Sequence, residues 1–297
     1  MLKIGMIGLD TSHCEAFIKL LNNPEVPYHV PGGRVELAYK GGSDDLEVSY
    51  SRIEGITKKL TEEYGIKLVD TLEEVAEASD AILLTSVDGR VHLEQFRAIA
   101  PYGKPVYIDK PFSATTEEAR EMLQLARDYN VPLMSASSLR YAEDFVQALQ
   151  QDEGEVLGMD CSGPMVESAP MPFYHWYGIH CVEMLYRGLG KGCKQVTVTC
   201  NGDYDMIVGV WEDGRIGTAR GNRKGNNSFG VVIHREKTIQ LVDARKHPKP
   251  LYAGLLEDTM RMFQSRVSPI EPEETVEIMR FLEAANESRV TGQTVLL

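Results

Sequence analysis

The stretch that decides the fold is GLDTSH, residues 8–13. Before it, Lys3-Ile4-Gly5-Met6-Ile7 is short, apolar and β-prone. After it, Ala16, Phe17, Leu20 and Leu21 recur at helical spacing. A strand, a tight glycine turn and a helix open a dinucleotide-binding unit. The fingerprint G-x-G-x-x-G, anchored on Gly8, asks for glycine at 10 and glycine or alanine at 13. This chain has Asp10 and His13. The N–H groups and dipole of the following helix still favour a phosphate. Asp10 opposes it, because two like charges ~4 Å apart cost roughly 4 kcal/mol at an effective dielectric of about 20. That is about three decades of affinity. Ser12 and Glu15 have the spacing of a capping box. Three readings stand. The loop has moved outwards and Thr11 and Ser12 hold the dinucleotide; the diphosphate site is impaired; or Asp10 and His13 serve a metal or a reaction.

Working outward, strand and helix alternate for about 120 residues. Strands are expected near 35–39, 67–69, 81–85, 106–108 and 131–134, with helices over 51–64 and 92–100. Thr71-Leu72-Glu73-Glu74 and Thr115-Thr116-Glu117-Glu118 are capping boxes that start two more helices. The run 81–85 is wholly apolar up to its threonine, as a central parallel strand should be. Beyond residue 150 the pattern changes. Strands near 197–200, 205–211, 216–220, 229–234 and 238–242 follow one another without long helices, which predicts hairpins and a mostly antiparallel sheet. Helices are expected over 179–186, 255–264 and 273–286, the last opened by Pro272. The segment 161–177 reads as a long loop rich in proline, methionine and aromatics. The expected fold is α/β. A doubly wound parallel sheet occupies 1–122, and an α+β unit with an open, mostly antiparallel sheet occupies 123–297.

The 297 residues are 43% apolar and carry a net charge of −13 without a basic block. That argues against nucleic acid and anionic membranes, which need a positive face. No apolar run approaches the ~20 residues of a membrane helix, and no signal peptide is recognised. The five cysteines are scattered, with no C-x-x-C pair. They read as reduced thiols of a cytoplasmic protein.

The chemistry gathers elsewhere. Asp109-Lys110-Pro111 follows an apolar strand and precedes a capped helix, which puts Lys110 at the carboxyl edge of the parallel sheet, where ligands bind. A buried lysine with a tuned pKa can move a proton or hold a substrate oxygen. Four stretches in order now carry a resemblance. They are the strand–turn–helix at 4–21, Thr85-Ser86-Val87-Asp88-x-x-x-His92, Asp109-Lys110-Pro111, and Gly178-Ile179-His180-Cys181-Val182-Glu183. They resemble the glycine turn, T-P-N-x-x-H, E-K-P and G-x-H-x-x-D of the Gfo/Idh/MocA oxidoreductases, the family of glucose–fructose oxidoreductase and inositol dehydrogenase. The ending, with Ser288 and Thr291-Gly292, is also similar.

The resemblance implies a nicotinamide-binding first domain and hydride transfer to or from a sugar-like or polyol substrate. It also implies a second domain whose open sheet makes a homo-oligomer, dimer or tetramer. Lys110 and His180 take the catalytic positions. The expected cofactor residues are Gly8, Asp10, Thr11, Ser12, His13, Ser86, Asp88, His92, Asp109 and Lys110, with Ser86, Asp88 and His92 falling near the nicotinamide ribose. The expected substrate ligands are Arg140, His175, Tyr177 and His180. NAD and NADP stay open. Lys40, Ser43 and Arg52 suit a 2′-phosphate, whereas Asp44 or Asp45 suits a free ribose. Trp176 stands where the family often has the acid paired with the histidine, and a tryptophan cannot take a proton. His175 or Tyr177 could substitute, or the three rings could line a sugar pocket. No clean metal-ligand spacing is present, and no metal is expected. The other functional class is a non-catalytic, ligand-binding or regulatory member of the same fold.

Overall fold

The structure, a computed structural model, describes all 297 residues. The chain divides into two compact units, Met1–Ala136 with Leu255–Pro272, and Ser137–Gly254 with Glu273–Leu297.

In the first unit, β1 (Leu2–Ile7), α1 (His13–Asn22), β2 (Gly33–Tyr39), α2 (Glu47–Tyr50), α3 (Ile53–Glu62) and β3 (Lys67–Val69) form one half. The other half is α4 (Leu72–Ala78), β4 (Ala81–Leu84), α5 (His92–Ile99), β5 (Val106–Ile108), α6 (Thr116–Asp128) and β6 (Leu133–Ser135). All strands run parallel in the order β3-β2-β1-β4-β5-β6. That is the doubly wound order, with its switch point between β1 and β4. Every residue of β4 is buried, as a central strand of such a sheet must be. The Thr115 capping box forms, and Thr71 accepts the Glu74 N–H.

The second unit contains α7 (Glu143–Gln150), β7 (Val156–Pro164), α8 (Phe173–Trp176) and α9 (Gly178–Leu189). It continues through β8 (Cys193–Asn201), β9 (Tyr204–Trp211), β10 (Ile216–Asn222), β11 (Gly230–Arg235) and β12 (Ile239–Asp243). The chain ends in α10 (Leu251–Ser265), α11 (Pro272–Thr291) and β13 (Val295–Leu296). The sheet order is β12-β11-β7-β10-β9-β8-β13, antiparallel except for β7 beside β10. One face is covered. Tyr186 of α9, Trp211 of β9 and Phe281 of α11 meet there, with ring centroids 5.6–6.4 Å apart. The other face is more open. His234 lies 2.7 Å from Asp160, which also accepts the Thr218 hydroxyl at 2.6 Å.

The structure corrects three expectations. The division at 122 falls inside α6, because α6 and β6 complete the parallel sheet and the unit ends at Ala136. The loop expected over 161–177 begins in β7, a strand inside the second sheet, and ends in the turn α8. The helix expected over 51–64 is the shorter α3, and a separate, unexpected turn, α2, precedes it, with Ser51 and Arg52 between them.

Candidate active site

Because the first sheet is all parallel, the residues after β1, β2, β4 and β5 gather at one edge. Gly8 leaves β1 with φ +87°, and a Cβ there would sit 2.4 Å from the Ser86 backbone. Only glycine permits that approach. Gly8 N–H donates to Tyr39 O (3.0 Å) and Leu9 N–H to Lys40 O (2.8 Å), so the turn is sewn to the end of β2.

Asp10 points inward. Its carboxylate is fully buried, accepting the Val87 N–H at 2.9 Å and the Ser49 hydroxyl at 2.6 Å. Burial raises its pKa, and these two hydrogen bonds pull against that rise. The carboxylate that would oppose a phosphate is therefore turned away from the crevice. The Ser12–Glu15 capping box does not form. Ser12 makes no side-chain cap, and Glu15 instead pairs with Lys59 at 2.7 Å. Ser12 is exposed at the start of α1, beside the buried Thr11. The turn thus fits a dinucleotide diphosphate through its backbone, Thr11 and Ser12.

His13 turns across the sheet edge and pairs through Nδ1 with Asp109 Oδ2. The other oxygen of Asp109 accepts the Lys110 N–H (2.9 Å) and the Tyr107 hydroxyl (3.1 Å). Burial alone would raise Asp109, but His13 and then Lys110 outweigh it and hold its pKa below the ordinary value. Lys110 is 6% exposed. Burial lowers its pKa and the nearby Arg52 lowers it further, while Asp109 pulls it up.

The residues expected near a ribose are buried beside the turn. Asp88 is fully buried and held by Arg90 (2.7–3.2 Å), whose guanidinium also binds Asp45 at 2.7 and 2.9 Å. His92 is fully buried, with one ring nitrogen 3.1 Å from Phe112 O and the other 2.8 Å from Ser86 O. The Ser86 hydroxyl donates to Gln95 at 2.9 Å. Their side chains brace the loops after β4 and β5. Lys40, considered for a 2′-phosphate, pairs with Glu54 at 2.5 Å.

The second unit carries the His180 group. His180 lies on α9 with its ring between Tyr177 and Phe229, at 5.4 and 5.5 Å. Ser137 Oγ lies 2.6 Å from its Nδ1. Trp176, which stands where the family's acid is expected, is buried. Two expected substrate ligands have partners within the second unit. Arg140 is buried, and its guanidinium meets Glu183 at 3.2 Å and Glu274 at 2.5 Å. His175 has no exposed surface, its Nδ1 lies 3.3 Å from Asn286 Nδ2, and burial lowers its pKa to about 4. Sequence reasoning missed Ser49, Arg90 and Ser137. Only Ser137 left a signal, as a hydroxyl just past the last strand of the parallel sheet.

The fold class is that of a doubly wound nucleotide-binding unit joined in one chain to an α+β unit. Residues 2–137 match the oxidoreductase family with the NAD-binding Rossmann fold. Over this segment the chain is similar to the Gfo/Idh/MocA oxidoreductases. The myo-inositol 2-dehydrogenase of Lactobacillus plantarum superposes with a TM-score of 0.81 at 15% identity, over 100% of this chain and 99% of that one. The scyllo-inositol dehydrogenase of Lactobacillus casei, solved with NAD(H) and scyllo-inositol, gives 0.80 at 12% identity over 100% and 99%. At such identities the likeness is one of fold. An uncharacterized oxidoreductase of Streptococcus pneumoniae is 23% identical over 189 residues, 56% of this chain and 50% of the relative. The chain thus matches half the length of that curated relative.

Proposed function

We propose that this chain is an NAD- or NADP-dependent dehydrogenase or reductase of sugar-like or polyol substrates. The observation that carries the reading is Lys110, a buried lysine of lowered proton affinity at the carboxyl edge of the parallel sheet, beside a turn whose acid faces inward. When bound, the nicotinamide supplies the hydride acceptor or donor. The backbone of Gly8 to Ser12, with the Thr11 and Ser12 hydroxyls, holds the diphosphate. Lys110 binds the reacting oxygen, taking its proton as an alcohol is oxidised and returning it in reduction. His180, oriented by Ser137, serves as a second acid/base or substrate ligand, and Tyr177 and Phe229 give sugar-facing apolar surface. A second copy packs on the open face of the second sheet, where Ile216, Ile239 and Leu241 are exposed.

Fluorescence titration with NADH and NADPH is the first test, and binding of at least one at micromolar concentration is expected. No binding of either at high micromolar cofactor would sink the dehydrogenase reading and leave the non-catalytic one. With a substrate in hand, Lys110→Ala is expected to lower kcat by about 100-fold or more. An unchanged rate removes Lys110 from the reaction.

A further inference from the structure

We infer that Ser137 is a positioning residue that fixes the tautomer of His180. It leaves the proton of the neutral ring on Nε2, so that His180 meets a substrate oxygen as a hydrogen-bond donor and not as a base. The tautomer stands on geometry inside the second unit; the donor role rests on reading His180 as a residue that faces substrate.

The donors and acceptors around Ser137 decide the tautomer. Ser137 has no exposed surface, so its hydroxyl hydrogen has no bulk water to go to. The oxygen accepts the Leu139 N–H at 3.2 Å, which caps the short turn Ser138–Tyr141. The carbonyl accepts the Arg140 N–H at 3.1 Å, and the Ser137 N–H goes to the Glu183 carboxylate. The hydroxyl hydrogen is the donor left over, and the acceptor within its reach is His180 Nδ1, 2.6 Å from the oxygen. Buried hydroxyls place their hydrogen on an acceptor. Nδ1 therefore accepts, and a neutral imidazole that accepts at Nδ1 carries its proton on Nε2. With the proton on Nδ1 instead, the serine oxygen could receive it, but the serine's own hydrogen would be stranded. With the ring turned over, Cδ2 would lie against the hydroxyl and strand it again. Tyr177 and Phe229 stand nearly perpendicular to the ring, at 80° and 76°, and brace the observed orientation. His180 and Glu183 lie three residues apart on α9, on one helical face, so the same serine is gripped at its hydroxyl and at its backbone.

A carboxylate at Nδ1 would do the opposite. It accepts only, would hold the proton on Nδ1, and would leave Nε2 free to act as a base. At position 176, where the resembled family often has an acid, this chain has a buried tryptophan, and the group on Nδ1 is a hydroxyl with a hydrogen to give. Proton abstraction from a substrate alcohol is thus left to Lys110, while the Nε2–H of His180 binds a lone pair of a hydroxyl or carbonyl oxygen.

The test reads the ring without turnover. The intact protein is made with isotope-labelled histidine, and long-range proton–nitrogen correlation spectra are recorded at alkaline pH, where imidazoles are neutral. The His180 signals are those missing from His180→Gln. Nε2 is expected at the fully protonated limit and Nδ1 at the unprotonated position. A free neutral imidazole averages two tautomers, so Ser137→Ala should move Nε2 off that limit towards the averaged value. Ser137→Thr keeps the hydroxyl and should return it. A protonated Nδ1 in the unsubstituted protein overturns the inference, and so does an Nε2 signal that a folded Ser137→Ala leaves unmoved. If Ser137→Ala does not fold, the tautomer of the unsubstituted protein decides alone. A merely structural role for Ser137 would lower the melting temperature and leave the nitrogen signals in place. NADH titration of the unsubstituted protein runs alongside. Its failure would sink the dehydrogenase reading and leave the tautomer standing.

Discussion

Asp10 puts a carboxylate into a turn shaped to receive an anion, and the direction of its two oxygens decides what that means. Both are used inside the first unit, on the Val87 N–H and the Ser49 hydroxyl. The repulsion expected from a carboxylate facing phosphate, roughly 4 kcal/mol at close range, therefore does not act in full. Asp10→Asn tests this. It is expected to change NADH affinity by less than about 3-fold, whereas a carboxylate aimed at the diphosphate would give up to about three decades of tighter binding on neutralisation. Asp10→Ala orphans two buried donors and is expected to cost about 1–3 kcal/mol in urea unfolding. The sequence raised the question of Asp10 without containing its answer. Ser49 is 39 residues away and Val87 is 77. No local pattern announces such partners, whereas Gly8 and Lys110 were visible because their roles follow from an adjacent strand.

At the scale of the element, α9 carries two buried or half-buried polar side chains three residues apart. His180 is fixed by Ser137, and Glu183 packs against Arg140 on the short turn Ser138–Tyr141. Burial raises Glu183 from 4.5 to about 7, against the opposing pull of Arg140. The sign follows. Between pH 4.5 and about 7 the unfolded chain loses this proton while the folded one keeps it. Stability from this group is thus full below 4.5 and is lost as pH rises to about 7. The whole effect is of the order of 3 kcal/mol, at about 1.4 kcal/mol per pH unit. Glu183→Gln should flatten the fall of melting temperature across that window, and an unchanged slope would assign it to other groups. The motif Gly178-x-His180-x-x-Glu183 made α9 easy to find, since its apolar face has a clear helical period. By contrast β7 was hidden. Gly158, Gly163 and Pro164 read as loop, and the alternation of buried Met159 and Cys161 with Asp160 and Ser162 is too short to outweigh them. Its neighbours β10 and β11 settle its conformation through pairing that sequence periodicity does not carry.

At the scale of the whole molecule, neither unit is a continuous piece of chain. The first unit closes only when Leu255–Pro272 returns to it. Periodicity found the helix of that segment but could not say which unit it serves. The structure answers through close contacts at the start of β2. A Cβ on Gly33 would lie 2.9 Å from Met260 Cε, and one on Gly32 would lie 2.4 Å from Gln264 Nε2. Arg266 adds hydrogen bonds to Gly103 O (3.1 Å) and Asn130 O (3.0 Å). Met260, Met262 and Phe263 are each buried. Stripping such side chains of cover costs about 1.5–3 kcal/mol apiece. Three of them approach the ~5–15 kcal/mol by which a domain is stable at all. Residues 1–136 made alone should therefore bind a hydrophobic dye and melt without a sharp transition, even though they contain every strand of the parallel sheet. A synthetic peptide of residues 251–272 added in excess should restore a cooperative melt. If the fragment already melts cooperatively at the temperature of the full chain, the returning helix is an ornament of the first unit and not part of its core.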